Sequence, residues 1–123
     1  MYRMKTAEET IEFLDGIWFH DMPVDSIEIR TNPETQLILK LFYLKKDKIG
    51  LQDKGYTKLE IIFNQIQHLT TDALELNSKS DFELFSFDYE FEESFKCKLM
   101  FLTGFGGPSL TIELACNSIE INE

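Results

Sequence analysis

Residues 17–24 read IWFHDMPV and set Trp18, Phe19, His20 and Asp21 side by side ahead of Met22-Pro23. A neutral imidazole and a carboxylate are both metal ligands, and the same two groups can pass a proton. A working centre would need more donors. His68 is the second of two histidines in the chain, and Asp21 and Asp25 are carboxylates near His20. A three- or four-ligand site requires His20, His68 and these carboxylates to converge, and their spacing follows no ligand repeat. The structural alternative has Asp21 accepting backbone N–H bonds in the turn before Met22-Pro23, with His20 packed beside Trp18. That arrangement locks a helix-to-strand corner. The corner is the expectation; a metal-dependent hydrolase or small-ligand protein centred on His20/Asp21 is the alternative.

Other residues with chemical potential give less. TGFGGP at 103–108 is glycine-rich, but it leads into an alternating strand rather than a helix, and no Lys-Ser/Thr follows. It therefore lacks the helix N-terminus that a phosphate cradle uses and reads as a hairpin loop with Phe105 near its tip. There is no Gly-x-Ser-x-Gly elbow, and no loop has the alternating acids of a calcium site. Cys97 and Cys116 lie singly on strand-like segments and read as buried thiols. No catalytic residue, metal or cofactor is expected, and the chain is read as a non-enzyme.

Charge is the more informative feature. The 123 residues carry a formal net charge of −10. Residues 1–61 hold 11 acids against 9 Lys/Arg, a net of −2; residues 62–123 hold 11 acids against 3 lysines, a net of −8. Asp81, Glu83, Asp88, Glu90, Glu92 and Glu93 fall within 13 residues that contain no Lys or Arg. Period-2 geometry puts Asp88, Glu90 and Glu92 on one strand face, roughly 6–7 Å apart. Such a row disfavours nucleic acid and would attract and steer a basic protein partner. A solvated face that merely keeps an aromatic-rich β protein soluble would carry the same charges.

The elements that must position these residues follow from periodicity. Thr6 and Glu9 form a capping box ahead of Ala7, Ile11 and Leu14, which share one helical face, and Gly16 is a stop; a helix is predicted over 6–15. After Pro23 the period becomes two. DSIEIRT is a strand, NPE at 32–34 a turn, and TQLILKLFYLKK a longer strand with Leu37, Leu39, Leu41 and Tyr43 in register. Its other face (Ile38, Phe42, Leu44) is also apolar, as suits a central strand. Residues 47–55 read as a loop, and TKLEIIFN turns Leu59, Ile61 and Phe63 inward. Residues 65–77 fit either a strand pair or a helical turn. In FELFSFDYEFE, Phe85, Phe87, Tyr89 and Phe91 alternate with Ser86, Asp88, Glu90 and Glu92. Glu93-Ser94 reverses the chain into FKCKLMFLT, and SLTIELAC and SIEIN complete it. The fold class is mainly β, an antiparallel sandwich or open barrel with one short N-terminal helix, in a single domain over 1–123. With 43% hydrophobic residues and 11 phenylalanines, the chain can bury a core without a metal or disulfide. No signal-peptide or membrane-spanning run is legible, so a cytoplasmic protein without membrane contact is expected.

The His-Asp pair is similar to the metal-ligating pair of HD-type phosphohydrolases, which draw further histidines and an aspartate from other helices. This chain offers one helix. The stretch FLDGIWFHDMPVDSIEIR, with the long strand and LEIIFNQIQHL after it, resembles a group of small, largely uncharacterised bacterial β-rich proteins. They open with an aromatic-His-Asp element followed by x-I/V-x-S-I/V-x-I, and some are immunity proteins of polymorphic toxin systems. The specific likeness spans about residues 13–30. Met22-Pro23 stands where that group carries a small residue. The resemblance implies a cytoplasmic module that binds and blocks a toxin domain, and it transfers no individual binding residue. A third reading is self-association through an aromatic surface.

Overall fold

A computed structural model describes residues 6–17, 19, 22–43, 57–72, 82–103 and 109–123. The predicted helix is present as α1 (Ala7–Asp15). Thr6 Oγ1 accepts from the Glu9 amide at 3.1 Å, and the Thr6 amide donates to the Glu9 carboxylate at 3.4 Å. Both halves of the capping box are therefore formed. The Gly16 amide closes the other end by donating to the Phe13 carbonyl at 3.1 Å.

Among the described residues six antiparallel strands follow: β1 (Met22–Arg30), β2 (Gln36–Tyr43), β3 (Thr57–Thr71), β4 (Phe82–Phe91), β5 (Phe95–Thr103) and β6 (Ser109–Asn122). The mainly β architecture with one short helix is thus observed, and its finer form is a closed barrel in the order β1-β2-β3-β6-β5-β4. Two three-stranded meanders, β1-β2-β3 and β4-β5-β6, meet along the two longest strands, β3 and β6. The other seam is short. β1 meets β4 only through Met22 opposite Leu84 and Pro23 opposite Glu83.

Alternation fills the interior. Leu37, Leu39, Leu41 and Tyr43 of β2 and Leu59, Ile61 and Phe63 of β3 are buried in one cluster, as their period predicts. Cys97, Leu99 and Phe101 of β5 and Leu110, Ile112 and Leu114 of β6 join it. Phe87 stands edge-on to Phe19, Phe63 and Tyr89, with ring centroids 5.1, 5.9 and 5.1 Å away, the tilted geometry that aromatic quadrupoles favour. On the opposite face of β2, Ile38 lies between Glu28 and Ile62 and is also buried, outside the core cluster.

Two departures from alternation matter. The register slips between Leu84 and Ser86, so Leu84 turns inward and Phe85, expected on the face of Phe87, is 36% exposed. A bulge of this kind inserts one residue and shifts the parity of the strand before it. In β3, Gln65 adopts φ 54°, and the inward series 59, 61, 63 resumes at Ile66, whose amide donates to the Thr35 carbonyl at 3.0 Å. A second slip lies between Ile66 and His68. Of the stretch 65–77 that fitted either a strand pair or a helical turn, residues 65–71 continue β3 as one strand with its pattern broken at Gln65 and after Ile66, and residues 73–77 lie outside the described residues.

Helix α1 packs against β6 and contributes Leu14, which is 0% exposed, to the core, with Ile17 just beyond it. Ala7, Ile11 and Phe13 lie half-buried against the same cluster. No helix among the described residues is long and apolar enough to cross a membrane.

Candidate functional site

Strand β4 displays the acidic row. Asp88 and Glu90 point outward and are exposed; Glu92 is also exposed, but the strand ends at Phe91 and places it in the turn to β5. The three carboxylates thus occupy one strand and its turn rather than one strand face throughout.

Pairing then changes the electrostatics that a single segment suggests. Lys98 of β5 lies opposite Asp88, and Lys96 lies opposite Glu90. Beyond Lys98 comes Glu113 of β6, with Lys98 Nζ 3.9 Å from Glu113 Oε1. The outer surface therefore reads Asp88, Lys98, Glu113 across the strands, with alternating sign. An exposed ion pair at this distance contributes well under about 1 kcal/mol, but it does blunt the local field. His68, Asp88, Glu90, Lys96, Lys98 and Glu113 border a shallow cleft of about 460 Å³ on this surface.

On its other side β4 meets α1, and there the sign does not alternate. The Tyr89 hydroxyl donates a 2.6 Å hydrogen bond to Asp15 Oδ1, tying the end of the helix to the strand. Burial, followed by this carboxylate neighbour, raises the Tyr89 phenol above its ordinary value. The angle between the two elements holds a groove of about 630 Å³ lined by Ala7, Glu8, Ile11, Glu12, Asp15, Tyr89, Glu90 and Phe91. Its floor is apolar, including Phe91 at 41% exposure, and its rim is four carboxylates. Among the described residues, no lysine or arginine lines it. Glu90 stands on the ridge between groove and cleft.

Trp18, His20 and Asp21, the proposed corner or alternative site, lie outside the described residues, as do Phe105 and the loop around it. The remaining members of the alternative metal set do not share a cleft. His68 faces out beside β4–β6, whereas Asp25, at the bulge in β1, borders a depression with Lys40, Lys58 and Glu60. Among the described residues, no three His, Cys, Asp or Glu side chains are grouped as a metal site requires.

The cysteines are interior. Cys97 pairs with Leu114 and Phe95 with Cys116, so the two thiols sit diagonally across the β5–β6 ladder, both buried and both free. Burial raises both above the ordinary thiol value, Cys116 to about 12. A buried thiol with a raised pKa is a weaker nucleophile than an exposed one.

No family model, curated protein or solved structure matches this chain.

The groove was missed in reading the sequence, although half of it was visible there. Glu8, Glu12 and Asp15 recur at four and three residues, the spacing of one helical stripe, adjacent to the apolar stripe of Ala7, Ile11 and Leu14. The missing half was topological: nothing in residues 7–15 says that β4 lies alongside them.

Proposed function

We propose that the chain is a protein-binding module for a basic partner, acting by occlusion in the manner of an immunity protein that covers a toxin domain. The observation that carries this reading is the exposure of Asp88, Glu90 and Glu92 together along β4 and its turn. They belong to a half-chain whose net charge is −8. Lys98 and Lys96 offset part of the charge of Asp88 and Glu90, and the net acidity that remains attracts a cationic surface over roughly a Debye length and orients it before contact. The reading is of binding and not of catalysis. A cytoplasmic location accords with such a role, and the resemblance at residues 13–30 supports it independently of charge.

The test is affinity capture from the source organism's lysate, with bound proteins identified by mass spectrometry. The wild-type chain and Asp88→Lys/Glu90→Lys/Glu92→Lys are run side by side. A stoichiometric basic protein, released by salt and lost on the triple reversal, is the expected result. No partner, or one retained by the reversed variant, would remove the assignment of β4.

A further inference from the structure

We infer that the groove between α1 and β4 is the docking site for a basic, amphipathic segment of a partner protein, one that inserts an apolar side chain between its lysines or arginines. This rests on the binding-module reading and goes beyond it, because it assigns a second surface and a chemical class of ligand. The floor of Ala7, Ile11, Tyr89 and Phe91 can take an aliphatic or aromatic anchor. Exposed Phe91 leans on Phe95 at a centroid distance of 4.7 Å, so the floor is propped from beneath. The rim of Glu8, Glu12, Asp15 and Glu90 demands cations around that anchor. A buried apolar anchor ringed by polar contacts is the usual energetic layout of a protein interface, and a volume near 630 Å³ is ample for one large side chain.

Charge selects among occupants. A second copy of this chain would bring another −10 to a rim that is already acidic. Nucleic acid and an anionic membrane surface are repelled for the same reason. A cationic protein segment satisfies rim and floor together. The Tyr89–Asp15 hydrogen bond fixes the spacing of helix and strand, so the groove is formed before the ligand arrives and little ordering cost falls on binding.

The test uses three fluorescein-labelled peptides: an amphipathic lysine–leucine helix, an oligolysine of equal charge, and a glutamate–leucine counterpart. Anisotropy reads affinity, and amide shift perturbation in the ¹⁵N-labelled protein reads location. The amphipathic cation should bind more tightly than oligolysine, with shifts centred on residues 7–15 and 89–91, and the acidic counterpart should not bind. Glu8→Lys/Glu12→Lys should weaken it about ten-fold more than the same charge change at Asp72→Lys/Glu113→Lys, away from the groove. Phe91→Ser should reduce binding of the amphipathic peptide and leave oligolysine unaffected. Thermal melts establish that each variant is folded. Equal binding of oligolysine, or equal effects of the two double reversals, would overturn the groove in favour of diffuse charge attraction. A captured partner lost on the β4 triple reversal but retained by Glu8→Lys/Glu12→Lys would also overturn it, while leaving the binding-module reading intact.

Discussion

Tyr89 and Asp15, 74 residues apart in sequence, are joined by a 2.6 Å hydrogen bond in which the phenol donates to the carboxylate. The bond ties α1 to a strand that pairs with β1 only at its opposite end. Phe replacement at 89 keeps the ring against Phe87 and removes only the hydroxyl. Tyr89→Phe should therefore lower stability by about 1 kcal/mol, a few degrees in melting temperature, because the Asp15 end of the bond is open to water. Chemical denaturation of the variant checks this, and no change would show that the helix is held by packing alone.

Packing supplies the larger share. Leu14 is 0% exposed at the end of α1 and touches the barrel core, so Leu14→Ala leaves a cavity and should cost roughly 2–5 kcal/mol. Glu12→Ala on the exposed face should stay within about 0.5 kcal/mol. Urea midpoints of the two variants, measured together, separate a helix that plugs the barrel from one that merely lies on it.

Cys97 and Cys116 should be silent toward a thiol reagent in the native state. Both are buried and shifted upward, so labelling must wait for opening of the β5–β6 ladder. The labelling rate should track global unfolding in denaturant. Stoichiometric labelling within minutes in buffer would contradict the burial.

Alkali should weaken the fold. The Tyr43 and Tyr89 phenols are raised above an ordinary value of 10.0, and both thiols above 9.0, in each case chiefly by burial. For a group raised in the folded state, the native chain keeps a proton that the unfolded chain has already released. The stabilisation is complete below the unfolded value and is lost as pH rises toward the folded one. Stability should thus be insensitive to these four groups up to about pH 8 and fall progressively above about pH 9. Denaturation midpoints across pH 7–11 would show it, with Tyr43→Phe removing part of the slope.

Much of the fold was legible because its signals are local. Thr6 and Glu9 announce the start of α1, and Leu37, Leu39, Leu41 and Tyr43 announce an inward-facing strand face. Illegibility began where one residue was inserted. The slips after Leu84 and after Ile66, with Gln65 at φ 54° just before the second, break the alternation without any glycine or proline to mark them, so Phe85 was assigned to the wrong face and 65–71 lost its strand signature. Barrel closure was beyond reach for another reason: it rests on Met22–Leu84 and Pro23–Glu83, two pairs some sixty residues apart in sequence. The same limit governed the site. Asp88 and Glu90 stood in a stretch without lysine, yet Lys98 and Lys96 face them across the ladder, while Glu8, Glu12 and Asp15 join Glu90 from the helix.

The central claim is that the β4 carboxylates steer a basic partner, and association kinetics of the captured partner against ionic strength test it most directly. The wild-type chain should associate faster as salt is lowered, and Asp88→Lys/Glu90→Lys/Glu92→Lys should slow association by about ten-fold or more at low salt and flatten that dependence. An association rate indifferent to salt, or equal in the two proteins, would contradict the account.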